Sequence, residues 1–137
     1  EPFWVALPKQ HPLSSYESLQ PHQLPVNELL LLAEGHCMRE HAISACQLPA
    51  SAQRRSVQAT SLYTLIEMVA SGLGITLIPH MAINSDMVRH ADICLLPLKL
   101  DSLAKREIGL VWRPSFRRTS TLEQLSLSFT AAMEENR

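Results

Sequence analysis

Short apolar, β-prone runs recur along this chain with helix-spaced segments between them, and that alternation leaves few folds open. The runs cover residues 3–7, 29–32, 56–59, 74–78, 93–96 and 108–112. Among the intervening segments the clearest has Leu62, Leu65, Ile66 and Val69 at i, i+3, i+4 and i+7. Thr60 or Ser61 is its expected cap and Gly72 its stop. Further helices are expected over about residues 36–46 and, after Pro79, about residues 80–88. A last helix is expected from Ser120, where Ser120 and Glu123 form a capping box and Leu122, Leu125, Phe129 and Met133 face inward. Strands alternating with helices predict an α/β domain whose mixed, mostly parallel sheet carries helices on both faces.

The 137 residues suit a domain of ordinary size, and 46% hydrophobic against 18% charged residues allows a real core. A formal net charge of −1 argues against a module that grips nucleic acid by itself. Arg113, Arg117 and Arg118 stand near a turn and read as solvated surface. No run of about 18 apolar residues exists to span a membrane. The start Glu1-Pro2-Phe3 has neither an initiator Met nor a signal-peptide pattern, and predicts a segment of a longer protein. Gly72-Leu73-Gly74 lacks the third glycine of a dinucleotide loop, and no cofactor is expected.

Three cysteines, an odd number in no secreted-scaffold spacing, predict a reducing, cytoplasmic setting. Two of them fall in Gly35-His36-Cys37-Met38-Arg39 through Cys46. If a helix begins near His36, Cys37 lies in its first turn, where unpaired N–H groups and the positive dipole end stabilise a thiolate. Arg39 can add positive charge, and His36 can donate a hydrogen bond. An oxidised thiol passes through sulfenic acid, which a second thiol traps as a disulfide. Cys46 is the candidate second thiol. Nine helical steps are a rise of about 13.5 Å, whereas a disulfide tolerates a Cα separation of about 4.4–6.8 Å. A Cys37–Cys46 bond therefore requires the helix to unravel, which makes the pair a switch instead of a staple.

Other readings of these residues stay open. Two cysteines on a helix can be inert core. His36, Cys37, His41, Cys46 and Cys94 are all permitted zinc ligands, yet only Cys37 and His41 share a helical face, so no metal site is assigned. Cys94, inside an apolar run, reads as packing. His11, His22, His80 and His90 show no pairing with a carboxylate or nucleophile.

The cysteine segment resembles the redox signature of the peroxide-sensing branch of the LysR-type transcriptional regulators. The likeness lies in the cysteine spacing, the His before Cys37 and the Arg two residues after it. Ala59-Thr60-Ser61-Leu62, the stretch from Met68 to Pro79, and Ile108-Gly109-Leu110-Val111-Trp112-Arg113-Pro114 resemble the wider LysR effector-domain pattern. The resemblance implies a two-lobed fold like that of periplasmic binding proteins. Residues 1–100 would be lobe II with the redox cysteines, and 101–137 a hinge and the end of lobe I, without the N-terminal helix-turn-helix domain. It implies a transcription regulator and not an enzyme, with hydrogen peroxide as oxidant, Cys37 as the reacting thiol and Cys46 as the resolving one. His36 and Arg39 would position or activate the site, and Arg106 would lie near the sensing pocket. A dimer or tetramer, DNA contact through the missing domain and a contact with RNA polymerase are implied for the longer protein. One departure is a family histidine just before Ala59, replaced by Ser56-Val57-Gln58. The alternative is a LysR-type small-ligand effector-binding domain whose cysteines are incidental.

Overall fold

The computed structural model describes residues 1–47, 49, 57–99 and 108–135. The chain forms two compact units, Glu1–Arg106 and Glu107–Arg137. In the first, β1 (Phe3–Pro8) is followed by β2 (Leu31–Leu32), α1 (Cys37–Ala45), β3 (Gln58–Ala59), α2 (Leu62–Ala70), β4 (Thr76–Pro79), α3 (Asp86–Arg89) and β5 (Ile93–Pro97).

β1 lies between β4 and β5 and runs antiparallel to both, with Val5 opposite Leu77 on one edge and Leu96 on the other. β2 and β3 pair in parallel, and an isolated parallel bridge from Leu29 to Ile75 joins β2's segment to that of β4. The order is thus β3-β2-β4-β1-β5. Among the described strands β1 alone runs against the rest, so the sheet is mixed and mostly of one direction, as the alternation predicted.

Side chains along β1 alternate between faces, and each face has its own core. Phe3, Val5 and Leu7 join Leu31, Ile75, Leu77 and Leu96 on one side, where α1 contributes Ala42 and Ala45. Ala6 joins Leu30, Ile78 and Ile93 on the other, where α2 buries Leu65, Ile66 and Val69. α2 starts where expected: the Ser61 hydroxyl accepts a hydrogen bond from the Thr64 N–H at 3.1 Å. It stops at Gly72, whose φ of +77° is the left-handed conformation that favours glycine. Two residues later, a Cβ on Gly74 would collide with the Glu28 carbonyl oxygen. That carbonyl accepts the Ile75 N–H, so the bare glycine is what lets the two segments bridge.

Three expectations are corrected. The helix expected over 80–88 is broken into a 3-10 turn, His80–Ala82, and the short α3. Ser85 is extended at the start of the second piece, and both its N–H and its hydroxyl donate to the Ala82 carbonyl, which closes the first turn. Residues 108–112 form no strand, and no ladder with another described segment includes them. The last helix, α4 (Thr119–Glu135), starts one residue before Ser120, so Ser120 is not its cap. Leu125 and Phe129 are 44% and 56% exposed and not inward, because the described residues of this unit supply no second layer over them. The expected hinge, at the start of residues 101–137, lies outside the described residues.

Truncating Ile66, which is wholly buried, is expected to cost about 2–5 kcal/mol in urea unfolding of Ile66→Ala. Gly74→Ala, which adds only a methyl group, is also expected to destabilise. A midpoint at or above that of the unaltered chain would refute this account of the bridge.

Candidate redox site

Leu32 ends β2, and Gly35, with φ +90°, turns the chain toward α1. His36 is the extended N-cap residue, and its carbonyl accepts the Arg39 N–H at 2.9 Å, while its side chain makes no capping bond. Cys37 is therefore the first helical residue, and it is exposed. Cys37 thus stands in the first turn of the helix, where the sequence reading put it.

The helix runs unbroken to Ala45, and Cys46 is its C-cap residue, with its N–H donating to the Ala42 carbonyl. The Cys46 side chain is half-buried against the core on the α1 face of the sheet. Burial pushes its thiol up to about 12, since a thiolate there would lose its hydration. All three cysteines are free. With both ends of α1 wound as expected, the rise of about 13.5 Å over nine steps stands between Cys37 and Cys46.

The structure separates the other expected site residues. Arg39, two positions from Cys37 and so on a different side of the helix, is only 5% exposed. Its Nη1 donates to the Leu32 carbonyl at 3.0 Å, giving the guanidinium a partner at the end of β2. His36 is exposed beside Cys37. Arg106 lies outside the described residues. Cys94, on β5, packs against the same core as Cys46. His41, one turn beyond Cys37, is half-buried with its Nδ1 lacking a hydrogen-bond partner. No group of three or more potential metal ligands occurs among the described residues. The expectation that His11 has no carboxylate partner is corrected: its Nε2 lies 3.1 Å from the Glu28 Oε2. The two are 17 residues apart, and only the fold joins them. Gln47, just after Cys46, has φ +50°, a left-handed conformation that no sequence signal announced.

This two-faced sheet, with a helix carrying a cysteine at each end, matches a known class. The chain belongs to the LysR substrate binding domain family, whose model matches residues 1–133, and its fold is the periplasmic-binding-protein-like α/β of that family. It is 36% identical over 134 residues to OxyR of Escherichia coli K12, a DNA-binding transcriptional dual regulator. The match covers 98% of this chain and 43% of that protein. The regulatory domain of an OxyR2 mutant from Vibrio vulnificus superposes with a TM-score of 0.76 at 38% identity, over 91% of this chain and 59% of that one. A hydrogen-peroxide-bound cysteine-to-serine mutant of Corynebacterium glutamicum OxyR gives 0.79 at 32% identity, over 99% of this chain and 43% of that one. The chain thus spans less than half of the curated E. coli relative. No helix among the described residues is long and apolar enough to cross a membrane.

The exposure difference predicts unequal thiols. Iodoacetamide at pH 8 is expected to label Cys37 well before Cys46, with Cys46 accelerating only as pH climbs toward 12. The sign for stability follows. Cys46 holds its proton in the fold after an unfolded thiol has lost it, so its contribution is intact below about pH 9. It declines between there and about 12. A Cys46→Ser variant should lack that decline; an identical pH profile in both would count against burial as the cause.

Proposed function

We propose that this chain is the redox-sensing part of a peroxide-responsive transcription regulator, switched by a Cys37–Cys46 disulfide. The observation that carries the proposal is a continuous helix holding apart two free cysteines, one exposed at its start and one half-buried at its end. The similarity to OxyR regulatory domains, one of them bound to hydrogen peroxide, supports the choice of oxidant.

The Cys37 thiolate attacks one peroxide oxygen and the O–O bond breaks. The other oxygen leaves as hydroxide and takes a proton to become water, and Cys37 becomes a sulfenic acid. The Cys46 sulfur then attacks the Cys37 sulfur, the S–OH bond breaks, and the Cys46 proton leaves with the hydroxyl as a second water. Two thiols lose two electrons, and peroxide gains them. The first step needs only an exposed thiol at the helix start, which Cys37 provides. The second needs α1 to unwind, which also frees Cys46 from the burial that keeps it protonated.

Residues 1–100 are proposed as one lobe of a cytoplasmic regulator, and residues 101–137 as the hinge and the end of the other lobe, with Arg106 near the sensing pocket. DNA binding, a dimeric or tetrameric state and contact with RNA polymerase belong, on this reading, to the longer protein.

Substoichiometric hydrogen peroxide followed by thiol counting and peptide mapping tests the proposal. Both Cys37 and Cys46 should be lost together, Cys37→Ser should keep its Cys46 thiol, and Cys46→Ser should stop at a trappable sulfenic acid. Equal oxidation of Cys94 and Cys37 would rule out a tuned site and leave the small-ligand reading in its place.

A further inference from the structure

A fork in the sheet lies directly under α1. The segments of β2 and β4 are joined by the Leu29–Ile75 bridge, by the Leu30 N–H on the Ile75 carbonyl at 2.8 Å, and by the Thr76 hydroxyl on the Leu30 carbonyl at 2.9 Å. Past that point no backbone ladder joins them among the described residues. A small gap opens there, lined in part by Leu30, Leu32, Thr76 and Leu77 from the strands and by Met38 and Arg39 from α1.

The two N–H groups of β2's segment that reach β3, those of Leu31 and Ala33, bond to the Val57 and Ala59 carbonyls. Alternation along the strand turns Leu30 and Leu32 the other way, toward β4. The Leu32 carbonyl thus faces the fork, where β4 has no N–H to give it, and Arg39 Nη1 supplies the donor. A buried acceptor left without a donor is costly, and so is a buried guanidinium without acceptors. The Leu32 carbonyl finds its donor in Arg39, and the guanidinium, with five N–H donors, finds one of its acceptors there.

The fully buried residues of α1 are Arg39, Ala42 and Ala45, with Met38 and Ile43 packed half-buried against the cores, so the long, hydrogen-bonded arginine is the deepest large side chain of the helix.

We infer that Arg39 is a positioning residue that latches α1 over the β2–β4 fork, holding the helix wound through the Leu32 carbonyl instead of acting on the Cys37 thiol. The inference rests on the redox reading above. Joining Cys37 to Cys46 unwinds α1 and draws Arg39 out of the fork, which uncaps the end of β2. The latch therefore sets how far the dithiol must be driven before the switch moves, and it ties that movement to the sheet.

The test compares the unaltered chain with Arg39→Ala and Arg39→Lys, the latter keeping a cationic donor. Amide hydrogen exchange is read in α1 and β2, with β1 as internal control, and the Cys37–Cys46 equilibrium is poised against dithiothreitol. In Arg39→Ala, α1 exchange should rise about tenfold and the equilibrium should move about tenfold toward the disulfide, a scale set by the orphaned acceptor. The β1 amides and the Cys37 alkylation rate should stay within about twofold, well below that scale. Arg39→Lys should recover most of the protection. Slower alkylation of Cys37 with unchanged α1 exchange would overturn the latch and make Arg39 an activator of the thiol. Unchanged exchange and an unchanged equilibrium would overturn it as well. If Arg39→Ala does not fold, Arg39→Met, which keeps the apolar stem, is read by the same outcomes. Failure of the unaltered chain to form the disulfide would instead defeat the redox reading, so the two failures are distinct.

Discussion

The pairing of β1 on both of its edges organises the first unit. One strand supplies Phe3, Val5 and Leu7 to one core and Ala6 to the other, and among the described strands it alone runs opposite to the common direction. Because β1 fills the space between β4 and β5, those two strands share a direction without touching. The two faces must then be closed by separate helices, α2 on one and α1 on the other. The placement of the cysteines descends from that arrangement, since β2 ends under the face that α1 covers.

The two helices are equal in length and unequal in grip. α2 buries Leu65, Ile66 and Val69, each worth about 1.5–3 kcal/mol when fully removed from water. α1 buries two alanines and an arginine. Alanine offers a single methyl group, of the order of 0.8 kcal/mol, and the arginine must surrender hydration to enter. Of these two helices, the one without cysteines has the stronger apolar packing, since α1 adds only the half-buried Met38 and Ile43 to its alanines. A helix that must come apart for a bond to form is best held by few apolar contacts and by a polar contact that water can replace.

Much of this was legible in the residues. The bounds of α1 and α2 came from Gly35, Ser61, Gly72 and the i, i+3, i+4 spacing, all local signals that the fold did not override. The placement of Cys37 and Cys46 at the two ends of α1 was legible for the same reason. What stayed hidden depends on long-range encounter. The antiparallel course of β1, the His11–Glu28 pair and the partnership of Arg39 with the Leu32 carbonyl each join elements that no periodicity relates. Arg39 was read from its nearness in sequence to Cys37, while the helix turned it toward the sheet. The inward face expected of α4 failed for a related reason: an apolar stripe states that a helix wants a partner, and says nothing about whether the chain contains one.

Gln47 follows the second cysteine with φ +50°, in a region where a side chain crowds its own backbone and glycine would be at ease. The wound arrangement therefore carries a small internal tension just past the carboxyl end of α1. Any rearrangement that lets residue 47 return to negative φ recovers that tension, which lowers the effort needed to start peeling the helix from its carboxyl end. On the proposed reading, the responsiveness of such a sensor owes something to torsional discomfort in one glutamine, a quantity independent of how reactive its sulfur is.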